Sequence, residues 1–391
     1  LFIIKIRQMK RLFKVLGAIA LVLLLIVAGA KLSGNGYLLK GVWATYLHGE
    51  NSATISDVRY FDSHEIAAND KPWQWPNDSR YNQQALSQKL QGVLTQTGSV
   101  AFLVVQNDSI LTEHYWEGYT DSSLSNSFSM AKSITTMLTQ IAIQKGVLKD
   151  WHQKVKDLLP DLKGPQAGAL ELWHLSTMSS GLQWDEAYKD PFTVTAKAYY
   201  GDHVRELMLT LPIVDTPGRF YNYQSGSTEL LGLCLMKASG KSLAELASEW
   251  LWKPLQAQHA AKWHTDGQGT ELCYCCFNSD ARDFARFGRL MLHHGNWNGT
   301  QVLDSSFVDM ATKGVFVPYY GYSFWLDESH GTKVFAQRGI LGQYIITIPE
   351  YNAVVVRLGR HCLPKQDNAP EDFHVIVEEA LKMLKKPAAT I

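Results

Sequence analysis

The sequence predicts an α+β protein, in which an antiparallel sheet with flanking helices is formed by both ends of the main domain around an inserted, mainly helical subdomain. Three observations carry this reading. Ser99 to Gln106 is an apolar run, Asn107-Asp108 is a turn pair, and Ser109 to Trp116 returns as the second strand of a hairpin. Three further β-rich runs, Lys333 to Ala336, Gln343 to Ile348 and Ala353 to Arg360, fall near the end of the chain. Between them, from about 150 to 290, helical patches alternate with turns such as Ser180-Gly181 and Pro217-Gly218. The two strand-bearing ends must therefore meet in one sheet.

Six basic residues and no acids occupy the first 31 positions, and Val15 to Ala30 is an unbroken apolar run ending in the A-x-A triplet Ala28-Gly29-Ala30. The run is shorter than the roughly 20 residues that span a bilayer, which fits a cleaved export signal. Flanking Leu12 and Phe13 extend it towards an uncleaved anchor. Residues 1–30 are thus expected to be a signal peptide or a membrane anchor. Either keeps the basic end cytoplasmic and makes the rest periplasmic, free or anchored at the inner membrane. Met9-Lys10-Arg11 reads as a natural start, with the eight residues before it as an upstream extension.

Residues 31–85 are polar and read as a lead-in crossing the surface, and 86–391 as the main domain. In Ser127 to Gln144, Met130, Ile134, Met137, Leu138 and Ile141 recur at helical spacing, and Gly146 provides a stop. A final amphipathic helix is expected over Glu371 to Lys385.

Composition excludes several classes. The chain is 46% hydrophobic with 12 Trp and 17 Tyr, which rules out a disordered chain. Lys+Arg and Asp+Glu both number 37; without the basic N-terminus the count is 31 against 37, about −6. No basic block remains to neutralise phosphates, so no nucleic-acid partner is expected. Five cysteines leave at least one unpaired within an exported chain. Cys273-Tyr274-Cys275-Cys276 lacks the second pair that structural zinc requires, so it reads as buried thiols, and neither metal nor cofactor is expected.

The chemistry lies in three clusters. In Phe128-Ser129-Met130-Ala131-Lys132, S-x-x-K opens a helix, so Lys132 shares a face with Ser129 and can take its proton. The helix start also directs backbone N–H groups at a developing oxyanion. The second cluster is Pro217 to Gly226, where Tyr223 could relay a proton to a leaving group or simply pack an aromatic turn. The third is Gln337-Arg338-Gly339, followed by Ile340-Leu341-Gly342-Gln343. His293-His294-Gly295 reads as a helix C-cap.

Together these residues resemble the serine hydrolases of the class C β-lactamase and penicillin-recognising group, which carry S-x-x-K, then Y-x-N or Y-x-S, then a strand motif. The wider sequence is most similar to the branch of 6-aminohexanoate-dimer hydrolases and carboxylesterases, through Leu175 to Leu182, Trp184 to Pro191, Ala281 to Gly288 and Gly339 to Gln343. The resemblance covers roughly residues 86–360 and implies a β-lactamase/transpeptidase-like fold. It implies Ser129 as acylated nucleophile, Lys132 as general base and Tyr223 as proton relay. The backbone N–H groups of Ser129 and Ile340 would form the oxyanion hole, and Tyr188, Gln337 and Gly339 would line the substrate. The implied substrate is a small ester or amide, with a membrane contact only if the N-terminal segment stays attached.

Two departures qualify it. The K-T-G of β-lactamases and transpeptidases is absent, and Gln337-Arg338-Gly339 stands there, which weakens the grip on a β-lactam or peptide carboxylate unless Arg338 faces the cleft. Tyr274 stands where the dimer hydrolase has a polar asparagine, which argues against its linear amide. A β-lactamase or D-Ala peptidase is the alternative enzyme, and a non-catalytic binding or sensing module the alternative class.

Overall fold

The computed structural model describes residues 2–385. Helix α1 (Phe2–Leu32) opens the chain. Its Lys5–Leu32 portion, 28 residues, is long and apolar enough to cross a membrane, and its apolar stretch is not buried against the rest of the protein. The helix outruns the apolar stretch because Lys and Arg are good helix formers, so the basic flank continues it.

Ten strands build two sheets: β1 (Ser63–Ile66), β2 (Ser99–Gln106), β3 (Ser109–Tyr115), β4 (Ser125–Asn126), β5 (Ala261–His264), β6 (Phe277–Ser279), β7 (Trp325–Asp327), β8 (Val334–Gly339), β9 (Gln343–Ile348) and β10 (Ala353–Gly359). The larger sheet runs β3-β2-β10-β9-β8-β7 and is antiparallel throughout. The early hairpin therefore pairs with the late strands, Val104 opposite Val355 and Leu103 opposite Val356. Strands β2, β9 and β10 are buried along their whole length, which explains their near-continuous apolar runs.

Beyond α1, the helices that matter to the site are α2 (Gln88–Gln96), α3 (Ala131–Gln144), α4 (Ser225–Ser239), α5 (Ala281–Leu292) and α6 (Glu371–Met383). One face of the large sheet packs on α2 and α6, through Leu90, Leu94, Phe373, Ile376 and Val377. The other face packs on α5, where a side chain at Gly288 would strike Val354 and Ile345. Glycine there lets the helix lie directly on the sheet. Beyond α5 the core continues into the helical region, with α3 buried from Ala131 to Ala142.

Residues 31–85 do more than cross the surface. Strand β1 pairs with β5, Ser63 opposite His264 and Ile66 opposite Ala261, in a sheet ordered β1-β5-β6-β4. Ile55, Ile66 and Trp75 join the main core, and Trp75 Nε1 donates to the Arg282 carbonyl at 3.0 Å. The helix α5 ends as expected: Gly295 has φ of 81° and its N–H bonds back to Leu290. The cysteine cluster differs from expectation. Cys275 and Cys276 form a disulfide with each other, while Cys234 and Cys273 are buried free thiols.

Candidate active site

From Ser125 to Ala142 every residue is buried except Ser129. The chain reaches it through Phe128, whose φ of 43° is left-handed, and whose N–H donates to Asn126 Oδ1 at 2.8 Å. A short 3₁₀ turn, Phe128–Met130, then feeds α3. This bend leaves the Ser129 hydroxyl at the surface of a rigid, buried element.

Lys132, one turn on, is fully enclosed. Its Nζ lies 2.9 Å from Ser129 Oγ, 3.0 Å from Ser225 Oγ and 3.1 Å from the Tyr274 carbonyl oxygen. Burial lowers its pKa to about 8, against the opposing pull of Glu186 and Glu229. Glu229, on α4, is itself pushed up to about 8 by burial, so near neutral pH it is largely protonated and pulls little.

Ser225 begins α4, and its hydroxyl donates to Glu186 Oε1 at 2.6 Å. The Glu186 carboxylate also accepts the Ser225 N–H and Trp184 Nε1, both at 2.7 Å, and the Tyr188 hydroxyl. Four donors on two oxygens define an ionised acceptor. The proton of Ser225 is thus committed to Glu186, and the Tyr274 carbonyl has none. Among the three groups hydrogen-bonded to Lys132 Nζ, Ser129 alone has an uncommitted proton.

Tyr223 places its ring 5.1 Å from Lys132 Nζ and packs on Trp325 and Tyr320. Burial, with the Glu186 charge, raises its pKa, while an interaction with the Ser129 hydroxyl acts the other way. Its phenol therefore stays protonated through neutral pH. The Tyr188 ring is half-exposed, and the Glu186 contact ties its hydroxyl end to the Ser225–Lys132 chain. Tyr274 contributes its carbonyl, with its ring 5.5 Å from Lys132 Nζ and its hydroxyl buried without a partner.

Strand β8 closes the other side. A side chain at Gly339 would run into the Ser127 carbonyl and come within 3.2 Å of Phe128 Cβ. The glycine thus admits the nucleophile's own turn. This contact brings Ile340 beside the Ser129 turn, and among the described residues neither the Ser129 nor the Ile340 N–H makes a hydrogen bond. Gln337 shares the Gly339 face of the strand by alternation; it is buried and its Oε1 has no partner. Arg338 turns the other way. Its guanidinium lies over the Trp325 and Phe373 rings, and Nη2 donates to the Asn368 carbonyl at 2.9 Å.

Ser129, Lys132, Tyr223 and Tyr188 thus lie together, with Gln337 and Gly339 on the facing strand and Ile340 immediately after it. Ser225 and Glu186 escaped the sequence reading. The third position of the Tyr223-Gln224-Ser225 triplet was the available signal for Ser225.

An antiparallel sheet joined by both chain ends, a helical insertion and a buried lysine beside a partly exposed helix-start serine define a β-lactamase/transpeptidase-like serine hydrolase. The chain belongs to the beta-lactamase family, whose model matches residues 86–372. It is 27% identical over 290 residues to the 6-aminohexanoate-dimer hydrolase of Paenarthrobacter ureafaciens, covering 68% of this chain and 73% of the relative. A solved structure of a Bacillus anthracis protein, provisionally named 6-aminohexanoate-dimer hydrolase, matches with TM-score 0.75 and 23% identity over 88% of this chain and 95% of its own. A class C beta-lactamase matches with TM-score 0.56 and 16% identity, over 76% of this chain and 95% of that one.

Proposed function

We propose that the protein is an exported serine hydrolase that opens small neutral esters or amides through an acyl-enzyme on Ser129. The observation that carries this reading is the environment of Lys132. A neutral amine there points its two hydrogens at Ser225 Oγ and the Tyr274 carbonyl and its lone pair at the Ser129 hydroxyl. The lowered lysine and the raised tyrosine support these roles, with Lys132 as the base and Tyr223 as the donor.

Ser129 Oγ attacks the substrate carbonyl carbon as its proton passes to Lys132 Nζ. The Ser129 and Ile340 N–H groups receive the oxyanion. Collapse breaks the bond to the leaving alkoxide or amine, which takes a proton from Tyr223, and Lys132 replaces that proton. Water then cleaves the acyl-serine ester by the same transfers in reverse. Tyr188 and Gln337 border the substrate.

The substrate class follows from β8. Gln337 offers a hydrogen bond without charge, and Arg338 is engaged with Trp325, Phe373 and Asn368. A charged contact to a substrate carboxylate, worth about 1.5–3 kcal/mol, is missing, so anionic β-lactams lose roughly tenfold to a hundredfold in relative preference. Comparing kcat/KM for p-nitrophenyl butyrate, nitrocefin and the aminohexanoate dimer tests this, with butyrate expected to lead. A preference for nitrocefin would overturn the assignment. Export rests on the apolar Lys5–Leu32 helix, and cell fractionation should find the protein outside the cytosol; a fully cytosolic protein would refute it.

A further inference from the structure

At the end of β7, in the turn after it and on α6, three side chains converge without serving the reaction. His330 Nε2 lies 3.1 Å from His374 Nδ1 and 3.4 Å from Asp327 Oδ2, and His374 Nδ1 lies 3.8 Å from the same oxygen. We propose that Asp327, His330 and His374 form a binding site for a zinc-class divalent cation, with a fourth position open to water. Ligand bonds of about 2.0–2.2 Å in a tetrahedron set neighbouring donor atoms about 3.3–3.6 Å apart, which the observed triangle brackets.

The protonation pattern supports the same site. His374 Nε2 faces the Gln366 carbonyl at 3.2 Å, so its hydrogen is used there and Nδ1 presents a lone pair. Outer hydrogen bonding of this kind fixes the tautomer of metal-binding histidines. Asp327 Oδ2 is buried with no hydrogen-bond partner, whereas Oδ1 accepts the Ser329 N–H at 2.9 Å. Three electron-rich atoms thus face one another with at most one hydrogen between them, an arrangement a cation relieves. The side chains are 15–17% exposed, so an ion and a water have access. A second cluster, His259, Asp280 and Asp283, is already satisfied, since both carboxylates accept backbone N–H groups, Asp283 pairs with Arg286 and Asp280 with His259.

The ion would staple the end of edge strand β7 to the first turn of α6. Trp325, two residues before Asp327, packs on Tyr223, so the staple would stiffen the wall behind the proton relay. The site does not depend on the hydrolase chemistry. The test uses the full chain without a polyhistidine tag, in mild detergent, stripped with chelator and titrated with ZnCl₂. One equivalent should bind, Co²⁺ should give the intense visible band of a four-coordinate ion, and zinc should raise Tm by several degrees. His330→Ala and His374→Ala should each weaken binding more than the roughly 10–100-fold expected for an outer-sphere partner. Asp327→Asn should abolish the Tm rise, and Ser129→Ala should leave zinc binding intact. Absence of stoichiometric zinc, a six-coordinate Co²⁺ spectrum, or unchanged affinity in the histidine variants would each overturn the proposal. The wild-type spectrum decides even if the variants fail to fold.

Discussion

Lowering the pH across the Lys132 titration should switch the enzyme off by a calculable amount. With a pKa of about 8, roughly one-tenth of the lysine is neutral at pH 7 and nine-tenths at pH 9. At the ordinary lysine value of 10.5 only about one molecule in three thousand would carry a neutral base at pH 7, so burial enriches the active form roughly 300-fold. The base works deprotonated, so kcat/KM should rise about tenfold between pH 7 and pH 9, with its midpoint near 8. The assay is initial-rate hydrolysis of p-nitrophenyl butyrate, corrected for spontaneous hydrolysis. Lys132→Ala should remove the limb along with most of the activity. Glu186→Gln, which deletes a charge holding the proton on Lys132, should move the midpoint to lower pH. A flat profile, a limb above pH 10 where a tyrosine would ionise, or an unchanged limb in Lys132→Ala would refute the assignment.

Gly339→Ala should cost about 1–3 kcal/mol, because the new methyl meets the Ser127 carbonyl and must push β8 off the nucleophile turn; kcat should fall with Tm, and an unchanged Tm would contradict the packing. Ser225→Ala deletes the hydroxyl between Lys132 and Glu186, so kcat should drop roughly 10–100-fold with KM little changed, and wild-type kcat would exclude a role for Ser225. Arg357 is fully buried and donates to Ser99 Oγ and to the carbonyls of Thr97, Leu341, Gly342 and His361. Arg357→Met should therefore lose about 3–5 kcal/mol in urea denaturation, and a loss below about 1 kcal/mol would show those carbonyls find other partners.

What could be read from the sequence follows the range of the interaction. The β2–β3 hairpin and the Ser129–Lys132 pair are local, set by a turn dipeptide and an i, i+3 spacing, and both appear as expected. The late strands were visible because burial on both faces makes them continuous apolar runs. The role of residues 31–85 was hidden because β1 finds its partner about 200 residues later and its own four residues carry no apolar pattern. Ser225 and Glu186 were obscure for the same reason: a serine and a glutamate gain chemistry only when folding sets them beside Lys132. The Asp327–His330–His374 cluster spans a strand end, a turn and a helix 44 residues further on, so no spacing motif announces it. Even the cysteine disulfide joins neighbours, a pairing that counting alone does not select.

The central claim is that Ser129 is the nucleophile, and covalent labelling tests it most directly. The full chain is treated with a fluorophosphonate, digested and mapped by mass spectrometry. The account predicts one adduct per chain on the peptide containing Ser129, formed faster as pH rises through about 8 and absent in Ser129→Ala. An adduct on any other serine, or labelling that survives Ser129→Ala, would contradict it.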